Sequence, residues 1–293
     1  MLQLKDFLKY VDLAHLHEKI NIFRDLNFKK MSYQEVQSAI IEVITFETPH
    51  GNRCVLTPMH TCYPKGTRFY RVRTLPKDDI HLPLRTMSNI TDCWEPPENV
   101  VRMGRLNRNN EALLYTSPLF PSVAVEEMKI KDNEVFSLIV YEALEQINVT
   151  MIGQTPNVNG LNRNETLKIK MLQDFLRHEF IRDVGVGTEY LYRISESITK
   201  DYFDLPSEIQ DAWCYPSVAQ KGSVNVCFRK NKREKLKLIG TQITSVIREN
   251  DNYLFSPRLI AATFEDDFHL SYYTIGSEVQ QKLFPEIIVK KVD

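Results

Sequence analysis

Val135-Phe136-Ser137-Leu138-Ile139-Val140-Tyr141-Glu142-Ala143-Leu144 is an almost continuous apolar run that reads as a buried strand. Its surroundings decide the fold class. Upstream, Phe69-Tyr70-Arg71-Val72-Arg73 alternates large apolar and basic side chains, and Ala112 to Tyr115 is a short apolar run after the polar turn Asn107 to Asn110. Both read as strands. Pro121-Ser122 then marks a helix start, with Val123, Val125 and Met128 in the turns that follow and Glu126 carried on that helix.

Downstream the texture changes. Residues 148–166, rich in Asn, Thr and Gly, read as a surface loop. Ile169, Leu172, Leu176 and Phe180 then give an amphipathic helix, and Leu191, Ile194 and Ile198 a second one, joined by a turn at Gly185-Val186-Gly187. A small capped turn from Ser207 leads to the strand-like Trp213 to Val218, and the last fifty residues return to β-like runs such as Tyr253 to Phe255 and Leu270 to Thr274. At the other end, residues 1–60 read as a helical lead-in. Within it Ser32 and Glu35 form a capping-box pattern ahead of Val36, Ile40, Val43 and Ile44, in a helix expected to end near Phe46. Strands early, a helical insert and strands again predict an α+β fold rather than a strict βαβ alternation.

Composition narrows the function classes. Hydrophobic residues make up 43% and charged ones 26%, enough apolar material for a packed interior. The 37 basic and 38 acidic side chains leave a net charge of −1, which provides no global field for nucleic acid or an anionic membrane surface. A small phosphorylated ligand held by a few arginines is compatible with that balance. The N-terminus mixes charge into its apolar residues, unlike a secretory signal, and no window approaches a membrane span, so a soluble cytoplasmic protein is expected. Five scattered cysteines without a Cys-x-x-Cys pair signal neither a disulfide framework nor a zinc site.

The chemistry-bearing residues come in a fixed order. Phe69-Tyr70-Arg71 is followed by Gly104-Arg105-x-Asn107, Leu114-Tyr115-x-Ser117, Ala124-x-Glu126, and Tyr215-Pro216-Ser217 with Asn225 close behind. Over roughly Arg68 to Lys237 this set resembles the RES domain family, named for its Arg, Glu and Ser. The resemblance implies a split β-sheet core related to the ADP-ribosyltransferases, here with a helical insert and an N-terminal helical extension. It also implies an NAD+-degrading activity, as in the toxins of bacterial toxin–antitoxin pairs. The expected organisation is a lead-in at 1–60, a catalytic domain at 61–240, and a β-containing extension at 241–293 packed on that core.

The residue types suit cleavage of the nicotinamide–ribose bond. Nicotinamide leaves as a neutral base while positive charge builds on the ribose, so a nearby carboxylate stabilises the transition state more than the ground state. Glu126 is the candidate for that role. Arg105, supported by Arg71, offers forked donors for a pyrophosphate. Tyr115 has an apolar face to stack on nicotinamide and a polar tip for the ribose. By resemblance Ser217 would position the nicotinamide-side ribose or its amide, and Asn107 and Asn225 complete the set that contacts NAD+. No other cofactor is implied. Water or inorganic phosphate would accept the ribosyl group, and a protein antitoxin and a homo-oligomer are the expected partners. Two rival readings are transfer of ADP-ribose to a macromolecule and a nucleotide-binding module without turnover. The chain departs from the family at Leu106, where an aromatic residue is usual, and at Arg108 to Glu111, which replace a Pro- and Gly-containing turn.

Overall fold

A computed structural model describes residues 4–54, 56, 58–156, 159–250, 252–264 and 267–288. The chain opens with helices α1 (Leu4–Phe7), α2 (Leu13–Arg24) and α3 (Tyr33–Ile44), then strands β1 (Thr45–Thr48), β2 (Gly51–Cys54), β3 (Met59–Tyr63) and β4 (Arg68–Thr74). Strand β5 (Leu114–Pro118), helix α4 (Pro121–Glu127) and strands β6 (Val135–Ala143) and β7 (Ile147–Met151) follow, and then α5 (Arg163–Phe180) and α6 (Tyr192–Tyr202). Strands β8 (Ala212–Pro216), β9 (Val224–Phe228), β10 (Leu236–Glu249), β11 (Asn252–Ala262) and β12 (Ser271–Thr274) precede a closing helix, α7 (Glu278–Leu283). The α+β expectation holds. No described helix is long and apolar enough to cross a membrane.

The chain forms two compact units, and three separate stretches build the first: Met1–Thr61, Glu98–Glu111 and Asn148–Val218. Ser32 caps α3 as expected: its Oγ accepts from the Glu35 N–H at 3.2 Å, and the Glu35 carboxylate accepts from the Ser32 N–H at 2.6 Å. That helix stops at Ile44, and the β1–β2 hairpin occupies residues that read as part of a helical lead-in. Asn162 and Glu165 form a second capping box at α5. This helix buries Ile169, Leu172, Phe175, Leu176 and Phe180, with Phe23 of α2 edge-on to Phe175 at 5.1 Å. All of strand β7 but Ile147 lies within residues that read as a loop; its Asn148 and Thr150 mask the alternation, and it pairs in parallel with β8.

The second unit is Cys62–Pro97, Ala112–Ile147 and Ala219–Asp293. Its seven strands lie in the order β12-β11-β10-β6-β4-β5-β9, with every neighbouring pair antiparallel. Strand β6 has a partner on each side and is buried on both faces, which is why its sequence is apolar almost throughout. Helix α4 covers one face: its Ala124 and Val125 pack with Val72, Leu138 and Val140, and Tyr70 joins the same cluster. Alternation then puts Phe69, Arg71 and Arg73 on the opposite face. Strand β10 runs through Gly240, where the register with β6 shifts between Leu238 and Gly240. Gly240 sits at φ +148°, a conformation that a side chain would strain.

Candidate functional site

In the first unit, the loop Gly104 to Glu111 folds on its own side chains. Asn107 Nδ2 donates to the carbonyls of Arg102 and Arg108, each at 2.9 Å, and the Gly104 N–H donates to the Asn107 carbonyl at 3.0 Å. Leu106, the departure from the family pattern, is a fully buried core residue. The remodelled turn after it is anchored to α6. Arg108 Nε donates to the buried carboxylate of Glu196 at 2.7 Å, and Lys200 pairs with Glu111 at 2.5 Å. Tyr33 donates to the other Glu196 oxygen at 2.5 Å, so this buried charge is paired and hydrogen-bonded.

Arg105 reaches the C-terminal end of α5. Its Nη1 donates at 2.6 Å to the carbonyl of Phe180, which the helix end leaves without an intrahelical partner, and at 3.0 Å to that of Arg182 just beyond it. The guanidinium also lies over the Tyr192 ring at 5.7 Å. Phe180 in turn packs its ring on Tyr215 at 5.3 Å, two residues before the buried Ser217. The two motifs of this unit, some hundred positions apart in sequence, therefore meet at one residue, Phe180.

In the second unit, Tyr115 and Ser117 point to the α4 side of β5, since Ser117 stands opposite Tyr70 in the β4–β5 register. Ser117 Oγ donates to Asn225 Oδ1 at 2.7 Å, and Asn225 Nδ2 donates to Glu127 Oε1 at 2.7 Å. Ser117 and Asn225 are buried, so a polar relay runs from strand to helix beside Tyr115. Glu127 is thus the glutamate turned toward Asn225. Its neighbour Glu126 turns toward the β10–β11 hairpin, where Arg248 Nε donates to its Oε1 at 2.8 Å and the Tyr253 hydroxyl donates to the same oxygen at 2.9 Å. Burial first, then the bond to Glu126, hold the Tyr253 phenol above its ordinary pKa, so it stays a donor.

Arg71 lies on the opposite sheet face from Ser117 and Asn225. It donates to the carbonyl of Trp94, whose ring packs on Tyr141 at 5.1 Å. Burial, with Asp92 nearby, pushes the adjacent Cys93 thiol up to about 12, so it stays protonated.

Of the seven residues singled out in the sequence, Arg105, Asn107 and Ser217 fall in the first unit and Arg71, Tyr115, Glu126 and Asn225 in the second. Sequence reading missed Arg248 and Tyr253, which lie 122 and 127 positions beyond Glu126 and belong to no motif. Searches of protein-family models, curated proteins and solved structures return no match to this chain.

Proposed function

We propose that this chain cleaves the nicotinamide–ribose bond of NAD+, with water or inorganic phosphate as the acceptor. The observation that carries the reading is the β5–α4 pair. The strand sets Tyr115 on the face covered by a helix bearing two adjacent glutamates, in the order that resembles the RES family. The C–N bond breaks with its electron pair going to nicotinamide, and C1 of the ribose takes the oxygen of water or phosphate. With water, one proton is released. A carboxylate beside C1 opposes the positive charge that develops there. Such an activity drains the cell's own cofactor, so the reading includes a blocking partner protein.

The test is nicotinamide release from NAD+ by the purified protein, with and without phosphate, beside Glu126→Ala and Glu127→Ala. Wild-type release, with a loss on the order of a hundredfold or more in the variant lacking the stabilising carboxylate, supports the reading. Absence of release by the wild type in both buffers overturns it.

A further inference from the structure

Glu126 is held by an asymmetric set of donors. Arg248 Nε donates to its Oε1 at 2.8 Å, Arg248 Nη2 lies 2.7 Å from the same atom, and the Tyr253 hydroxyl donates there at 2.9 Å. Oε2 accepts no hydrogen bond among the described residues. Arg248 is itself fixed from behind: Nη1 donates to Asp132 at 2.5 Å and Nη2 to the Ile130 carbonyl at 2.8 Å. Arg248 and Tyr253 are cross-strand partners in the β10–β11 hairpin, and the guanidinium lies over the phenol ring at 5.6 Å.

A guanidinium beside a carboxylate that must oppose a developing cation would ordinarily cancel it. Here one guanidinium serves two carboxylates, Glu126 and Asp132, and 1 − 2 leaves a net charge of −1 on the cluster. The Glu126 side chain is only 25% exposed, so two donors on one oxygen fix its direction and leave the other oxygen to act.

We infer that Arg248 and Tyr253 are positioning residues for Glu126, and that the β10–β11 hairpin, outside the stretch that resembles the RES family, orients the carboxylate that meets the ribose. This rests on the NAD+ reading. It gives residues beyond Gly240 a part in the reaction.

The experiment measures kcat and KM for NAD+ with Tyr253→Phe, Arg248→Lys and Arg248→Met, each with its melting temperature. Tyr253→Phe should lower kcat roughly tenfold and Arg248→Met roughly a hundredfold, with KM within about twofold and part of the loss recovered in Arg248→Lys. In a Glu126→Gln background, Tyr253→Phe should cost nothing further, because residues acting through one group are not additive. Wild-type kcat in both Tyr253→Phe and Arg248→Lys overturns the inference, and so does an undiminished effect of Tyr253→Phe in the Glu126→Gln background. If the wild type itself releases no nicotinamide, the NAD+ reading falls and this inference with it. If the wild type turns over and the variants match it, only this inference falls.

Discussion

Asn225 donates to Glu127 at 2.7 Å through one end of its amide while the other end accepts from Ser117 at 2.7 Å. One buried side chain on β9 therefore links strand β5 to helix α4, and the two bonds fix which way its amide points. Replacing it should be felt at both partners. Asn225→Ala removes an acceptor from Ser117 and a donor from Glu127, at a cost of about 1–3 kcal/mol for each group left short of a bond. Asn225→Asp should be worse at neutral pH, because it sets two carboxylates against each other, and should regain stability on acidification as one takes a proton. Melting temperature followed against pH for both variants checks this, and a pH-independent Asn225→Asp deficit contradicts it.

Arg105 is expected to serve stability through the carbonyls at the end of α5. Arg105→Leu loses both carbonyl contacts at the end of α5 and should cost about 1–3 kcal/mol of folding stability. Arg105→Lys keeps a cation near the helix C-terminus, where it is favourable, but loses the guanidinium that reaches both carbonyls. The lysine variant should therefore melt closer to wild type than the leucine variant does. Equal melting temperatures for the two variants would show that the charge contributes nothing there.

Glu179 supplies a pH dependence with a definite sign. It is buried near the end of α5, paired with Arg182 at 2.5 Å and Arg24 at 3.7 Å, yet burial outweighs both cations and raises its pKa above the ordinary 4.5. The folded state thus holds its proton to higher pH than the unfolded chain does. That contribution to stability is fully present below about 4.5 and is lost as pH rises through the folded value. Glu179→Gln cannot titrate, so its stability relative to wild type should improve as pH rises from 4.5. Denaturant titrations of the two proteins across that range measure the difference, and parallel curves would show that the carboxyl is not perturbed.

Gly240 is a constrained backbone position in the second unit's sheet. A Cβ there would lie 2.9 Å from the Ala261 carbonyl oxygen of β11, on top of the strain of φ +148°. Gly240→Ala should cost at least about 1–3 kcal/mol. It should also loosen the β10–β11 pairing at Thr241 and Ala261. Because Arg248 and Tyr253 are carried by the same two strands, nicotinamide release should fall alongside the melting temperature.

Local chemistry made much of this protein legible in its sequence. The capping box at Ser32, the proline that opens α4, the alternation in β4 and the apolar run of β6 each depend on residues within a few positions of one another, and each element formed where those residues stand. Besides the β1–β2 hairpin, which lies in residues that read as helical, strands β7 and β10 were not legible. Strand β7 carries Asn148 and Thr150 in its interior, and the fourteen residues of β10 interrupt their apolar pattern with Gly240, Thr241, Gln242, Thr244 and Ser245. Their burial is set by neighbouring strands distant in sequence, and no short window contains that information.

The candidate site divides in the same way. By itself the sequence determined which residue types are present, with Tyr115 on a strand and Glu126 and Glu127 side by side on the short helix that follows it. Tertiary structure alone decided that Glu127 turns to Asn225 on β9 and Glu126 to Arg248 and Tyr253 on the β10–β11 hairpin. Adjacent residues on a helix point about 100° apart, so which glutamate meets which partner depends on how α4 packs on the sheet. That packing is the sum of apolar contacts from Val72 to Phe284, spread across most of the second unit's chain.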